Sequence, residues 1–301
     1  MTATPIIDDF PQPPDHPPAS ALPPAYVLEG VTSTWQDWRK TAALVRHLAV
    51  RHLSQRYRGS SLGFVWSLLN PVLMTCIYSF VFKLVFRATV PGVPYTSYFL
   101  TGYLCWNFFS VAVFNAAASV AEGGHLINKC YFPRVALPLS AILSSLLNYC
   151  ITLPVLLGYN LVVGVWPGWA LLGFPVALAL VLLIGIGVGL LIGSLAPFFR
   201  DLLAVLEVLF MAWFFATPIF YTFDSIAETF RTNGWSLHWL NLLKFNPMVG
   251  AVRAMHATFL GDPMPWSAIW GDVGIAFVIG LALLALGWHT FVRMSDRFGD
   301  V

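Results

Sequence analysis

The sequence predicts an all-α integral membrane protein with six transmembrane helices, an N-terminal amphipathic interface helix and two short re-entrant helices between spans five and six. Three observations carry that expectation. Only 10% of the 301 residues are charged and 58% are hydrophobic, whereas a soluble domain needs roughly 25% charged residues to cover its wet surface. Six stretches supply the about 20 predominantly apolar residues that a bilayer crossing takes. Lysine and arginine fall unevenly between alternate connections. The mean hydropathy of +0.74 agrees. A net charge of +2 gives no general attraction to nucleic acid, so none is expected as a partner.

Residues 1–34 read as a disordered, proline-rich cytoplasmic tail. They hold Asp8, Asp9 and Asp15 and lack the basic start of a secretory signal. The transmembrane domain is expected over 35–301. Its entry, 35–58, puts Trp35, Trp38, Ala42, Val45, Ala49 and His52 on one helical face, with Arg39, Lys40, Arg46, Arg51 and Arg58 mostly off it. Such a helix lies in the membrane plane, apolar side down and basic side toward phosphates.

The spans are expected at 64–86, 98–121, 136–163, 170–196, 202–221 and 267–292. The fifth is the shortest and is interrupted by Pro218, which has no N–H to donate. With the N-terminus inside, the inner flanks collect Arg39, Lys40, Arg46, Arg51, Arg56, Arg58, Lys129, Arg134, Arg200, Arg293 and Arg297. The outer side receives Lys83, Arg87, Arg231, Lys244 and Arg253. Both termini are therefore predicted cytoplasmic.

Residues 222–266 are too hydrophobic for a solvated loop. Asn246–Pro247 divides them into two short helical pieces, expected to dip into the outer half of the bilayer, where backbone surrounded by protein is tolerated. Cys76, Cys105 and Cys150 lie in apolar spans and Cys130 in an inner loop, so no disulfide is expected. Gly185, Gly189 and Gly193 recur at four-residue spacing in the fourth span and permit close helix approach. Contact within one subunit is the plainer reading and contact across a dimer the sharper.

Catalytic chemistry is missing. There is no G-x-x-x-x-G-K-[ST] loop to cradle ATP, no G-x-S-x-G elbow and no H-E-x-x-H helix, and the histidines show no metal spacing. Neither a catalytic residue nor a metal site is expected. Glu207 is the acidic residue well inside a span, with Asp272 near an end. That is fewer carboxylates than a proton-coupled transporter usually buries.

Several motifs then point to a family. Gln55-Arg-Tyr-Arg-Gly-Ser-Ser-Leu-Gly-Phe-Val-Trp66, running into Asn70-Pro71, resembles the entry to the first span of polysaccharide-export ABC permeases, which export O-antigen, teichoic acid and related glycans. Tyr131-Phe-Pro-Arg134 and Phe199-Arg-Asp201 are similar to that family's two cytoplasmic loops. Asn246-Pro-Met-Val249 through Arg253 to Leu260-Gly261 resembles its outer segment. The resemblance runs from about Trp35 to the C-terminus. It implies half of a transporter in a bacterial cytoplasmic membrane: a second copy of the chain, two separate ATPase subunits carrying the ATP and Mg, and a lipid-linked glycan as substrate. A chain without a nucleotide site needs an energy source elsewhere, which agrees.

Candidate sites follow, each beside a plainer reading. The loop 122–134 is the candidate ATPase contact, through Glu122, His125, Leu126, Ile127, Asn128, Lys129, Tyr131, Phe132, Pro133 and Arg134, with Arg200 and Asp201 of the second loop. A short helix bearing Leu126, Ile127, Tyr131 and Phe132 suits a groove in a soluble partner; the plainer reading is a basic anchor loop. Arg51, Arg56 and Arg58 suit a lipid diphosphate, which arginine grips bidentately, or simply anionic membrane lipid. Trp106, Phe108, Phe109, Phe114, Trp213, Phe214, Phe215 and Tyr221 suit a conduit where sugar rings slide over aromatic faces, or else lipid-facing packing. Two rival classes stay open: an ion-coupled transporter using Glu207, and a membrane glycosyltransferase, for which no acidic set is present.

Overall fold

The computed structural model describes residues 35–57, 65–85, 87, 89–122, 133–199, 201–236, 238, 243–261 and 264–299. The expected tail at 1–34 lies outside them. The chain is all-helical, with nine α-helices among the described residues: α1 (Trp35–Tyr57), α2 (Val65–Ser79), α3 (Tyr95–Ala121), α4 (Ala136–Val162), α5 (Phe174–Leu195), α6 (Leu202–Phe215), α7 (Phe223–Thr232), α8 (Pro247–Leu260) and α9 (Trp270–Ser295).

Among the described residues, four helices are long and apolar enough to cross a membrane: α3, α4, α5 with the 3-10 turn before it, and α9. The 27 residues of α3 reach about 40 Å at 1.5 Å per residue, beyond the about 30 Å of a hydrocarbon core. Two further apolar helices are shorter. One is the stretch Leu68–Tyr78 of α2, which carries Pro71 and runs on as a wider π turn through Phe80–Val85. The other is α6, with 14 residues.

The expected fifth span at 202–221 is corrected here. Its helix stops at Phe215, and residues 217–221 are bends. Pro218 cannot donate to a carbonyl one turn back, and its ring crowds that carbonyl. The last span also sits three residues later than expected, at Trp270–Ser295, after a separate 3-10 turn over Trp266–Ala268.

The segment between these spans folds as two unlike helices. Thr222 and Ser225 close a reciprocal capping box at the start of α7. That helix buries no residue. Asn246 caps α8 by accepting the Met248 N–H, and Pro247 takes the first helical position, where a missing N–H is harmless. Every residue of α8 except Arg253 is buried.

The core is organised around α3, which packs against α2, α4, α5, α6 and α8. Gly185, Gly189 and Gly193 face this helix: a Cβ on Gly189 would meet Ala116 and Ile142, and one on Gly193 would meet Val120. The small-residue repeat therefore serves packing within the chain. The tightest crossing is on the opposite face of α5, where it meets α9. A Cβ on Gly187 would strike the backbone at Leu283–Leu284, and one on Gly287 would fall on the Gly187 carbonyl oxygen. Backbone touches backbone there, so neither side has a flexible atom to give way. Gly287→Leu should therefore destabilise the fold by about 3 kcal/mol or more, seen as loss of the monodisperse protein in detergent, while Gly158→Leu, with open space around it, should not.

Candidate functional site

At one end of the bundle, the bend after α6 is held by side chains from other helices. Tyr98 donates its hydroxyl to the carbonyls of Pro218 (3.2 Å) and Tyr221 (2.9 Å), and Tyr95 donates to Phe220 (3.1 Å). Asn246 works in several directions. Its amide nitrogen donates to the Ala216 carbonyl (3.3 Å) and the Thr217 hydroxyl (3.0 Å). Its oxygen accepts from the Trp213 indole (2.8 Å) and from the Met248 N–H (3.0 Å). Carbonyls freed by the break at Pro218 are thus satisfied by protein groups, as backbone in an apolar setting requires.

The same tyrosine also fixes α8. The His256 ring stacks on Tyr98 with centroids 4.0 Å apart, and its Nε2 lies 3.0 Å from the Tyr98 carbonyl. A carbonyl only accepts, so this contact places the proton on Nε2. Farther along, Asn160 donates to the Phe259 carbonyl at 3.3 Å. Arg253 is paired with Asp272 at the start of α9 and lies over the Phe223 ring at 5.1 Å, so one guanidinium ties α7, α8 and α9. Both ends of α8 meet the same end of the bundle: Asn246 sits against the end of α6, and Gly261 against Trp166 and Pro167 between α4 and α5.

Two open pockets flank α7. One, of about 780 Å³, is lined by Trp213, Phe230, Trp235, Leu243 and Pro247 among others. The second, of about 740 Å³, is polar and includes Asp224, His238, Lys244, Arg253 and Asp272.

The opposite end gathers the ends of α3, α5 and α9 and the start of α4. Arg134 donates to the Ser295 carbonyl, joining the start of α4 to the end of α9. Phe298 packs on Phe198 and Phe291 beside the α5–α6 connection. Glu122, exposed at the end of α3, lies close enough to His52 of α1 to raise its pKa, against burial and the Arg51 charge, which dominate and lower it. The residues expected to contact an ATPase therefore begin and end at this face: Glu122, Pro133 and Asp201 are exposed and Arg134 is half-buried. His125, Leu126, Ile127, Asn128, Lys129, Tyr131, Phe132 and Arg200 lie outside the described residues, as does Arg58. Arg51 is exposed on α1, and Arg56 falls in its last turn.

Most of the aromatic residues expected in a conduit lie in the seam between α3 and α6. Trp106 meets Phe210, Trp213 and Phe214 at 5.8–6.1 Å, Phe109 meets Trp213 at 5.3 Å, and Phe114 meets Phe210 at 5.3 Å. Phe108 stacks on Tyr149 of α4. Phe215 is exposed, and Tyr221 is half-buried with its hydroxyl on the Phe215 carbonyl. Sequence reading singled out none of Tyr95, Tyr98, Asn160 and His256. A signal existed for the first pair: two tyrosines three apart at the start of a span share one face.

Replacing Tyr98 by Phe keeps the ring but removes the single O–H that reaches both carbonyls. The Pro218 and Tyr221 carbonyls then lose that donor, so the variant should lose about 1–3 kcal/mol of stability, measured as a lower thermal midpoint in detergent. Tyr95→Phe, with one acceptor, should lose less.

A family model described as ABC-2 type transporter matches residues 43–260. The O-antigen export system permease protein RfbA of Myxococcus xanthus is 33% identical over 222 residues, covering 74% of this chain and 82% of the relative. Two proteins of the same description from Klebsiella pneumoniae are 29% and 30% identical over 252 residues, covering 83% of this chain and 92% of each relative. The match takes in every apolar helix but α9, together with the bend after α6 and the whole of α8, and on that extent the chain belongs to the ABC-2 type transporter family as a membrane transport subunit that works with an ATPase partner.

Proposed function

We propose that this chain is the permease half of an exporter that moves an O-antigen-type polysaccharide, carried on a lipid, across the bacterial inner membrane. The observation that carries the reading is the similarity to O-antigen export permeases over at least 74% of the chain. Two copies would enclose the path and two ATPase subunits, binding ATP and Mg, would drive it. Six crossings are reached if the π turn after α2 and the bend after α6 complete those two short helices, since the 14 residues of α6 give about 21 Å of the about 30 Å needed. Both termini then lie in the cytoplasm, with the Arg134 end of the bundle inward and the Tyr98 end outward. The placement of both ends of α8 against the outer end supports a helix that enters and leaves the membrane on one side.

The inner loops take the ATPase contact. Tyr131 and Phe132 would seat in a groove of the partner, with Lys129 and Arg134 at the rim. Arg51, Arg56 and Arg58 would meet the diphosphate of the lipid carrier at the inner leaflet. Replacing Tyr131 and Phe132 with serine should remove the ATPase from the purified membrane protein while membrane insertion stays intact. Full retention of the ATPase would overturn the docking assignment. Active export from vesicles holding this subunit alone would overturn the functional reading.

A further inference from the structure

The side of the bundle formed by α2, α3 and α6 is not built for lipid. The exposed side of α9 shows what a lipid-facing surface looks like here: Phe277, Val278, Leu281, Leu286 and Val292 are exposed, and no charged residue occurs between Asp272 and Arg293 apart from the ionisable His289 near the inner end. On α6 the exposed residues Ala204, Val205, Val208, Met211 and Phe215 are also apolar, but Glu207 is exposed among them. No described residue pairs with its carboxylate. Ionisable groups at membrane depth face a protein interior or a water-filled cavity, because hydrocarbon cannot solvate them.

The helix geometry says which way Glu207 points. It precedes Phe214 by seven residues, about two turns, so the two share nearly one side of α6. Phe214 faces Tyr78 of α2 at 6.3 Å and Trp106 of α3 at 5.8 Å. Glu207 is therefore turned toward α2 and α3, nearer the inner end of the bundle than the Phe210–Phe114 contact. On α3 a second, independent set of polar groups lies on that side. Tyr103, Asn107 and Ser110 are half-buried at spacings of four and three residues, one helical stripe, ending at Phe114. Tyr103 sits 6.2 Å from Tyr78, and the Ser110 hydroxyl donates to the Asn107 carbonyl at 3.2 Å. The stripe lies between α2, which Tyr103 touches, and α6, which Phe114 touches.

We propose that Tyr103, Asn107, Ser110 and Glu207 form a hydrophilic lane for the hydroxyl groups of a passing glycan, with Glu207 at its inner entrance. The lane rests on the export reading and names the chemistry it would recognise: an uncharged, polyhydroxylated chain. Hydroxyls donate to the Glu207 carboxylate and exchange with the tyrosine, amide and serine groups farther along. A carboxylate at the entrance disfavours an anionic chain by like-charge repulsion. The exposed apolar residues beside it let the chain slide, because they offer nothing to hold it.

The test has two arms, both on the assembled complex with its ATPase. In a background with Cys76, Cys105, Cys130 and Cys150 replaced by serine, Glu207→Cys should react with a charged, membrane-impermeant thiol reagent, whereas Val278→Cys on α9 should not. Equal reactivity of the two would overturn the lane. In the transport arm, Glu207→Leu should slow glycan export about tenfold, the ratio that one lost hydrogen bond to a charged group gives, and Glu207→Gln should keep most of it. Wild-type export from Glu207→Leu, or a Gln variant as slow as Leu, would overturn the hydroxyl role. The thiol arm reads water at position 207 whatever the cargo, so labelling of Glu207→Cys in a transporter whose wild-type form exports no glycan would refute the functional reading and leave only a hydrated path beside α6.

Discussion

A helix can cross hydrocarbon because it satisfies its own backbone, so each place where this chain leaves helical geometry must recruit donors from elsewhere. The break after Phe215 is the most demanding. Carbonyls of Ala216, Pro218, Phe220 and Tyr221 are released there, and Asn246, Tyr98 and Tyr95 accept the task of bonding them. None of these groups is local in sequence. Tyr95 and Tyr98 come from the first turn of α3, and Asn246 from the start of α8. The bend is therefore held by groups on α3 and α8, and α8 is positioned by the same groups. Its cap is Asn246, and its His256 rests on Tyr98.

This arrangement explains why α8 is buried over its length although both its ends stay at one end of the bundle. A 14-residue helix is about 21 Å long, too short to cross and reach water. Its two termini return to the same side, where the Asn246 cap and the contact of Gly261 with Trp166 and Pro167 receive them. Gly261 has φ +68°, a conformation that side chains resist, and a Cβ would also crowd the Trp166 carbonyl. Arg253 is the exception to burial, and it is matched by Asp272 at the first turn of α9. An unmatched guanidinium at that depth would be expensive; the pair instead ties the end of the outer segment to the last helix.

Much of this was legible in the sequence because apolar length and proline position are local signals. The helices α3, α4, α5 and α9 appear within a few residues of their expected places, and Asn246–Pro247 marks the start of α8 through its capping chemistry. The family resemblance in the loops and the absence of a phosphate cradle led to the same transporter class that the relatives support, so the ion-coupled and glycosyltransferase readings fall away. The 202–221 span runs past the end of α6 because hydropathy counts Ile219 and Phe220 as span whether or not the backbone is helical. Burial was not legible either. Trp106 and Phe214 are as apolar facing lipid or sugar as they are facing each other, and only the position of α6 against α3 shows that they form a seam.

The centre of the chain is α3, packed on five helices, whereas α6 buries only the stripe Leu206, Phe210 and Phe214. A helix held along so narrow a stripe has little to fix it against rotation or tilt except its ends. At one end its Trp213 is tied to Asn246; at the other it begins beside the α5–α6 connection, on the face that also carries the base of the 122–134 loop. The chain thus pairs a centrally packed α3 with α6, a helix held along one narrow stripe and tied near its end to the start of α8.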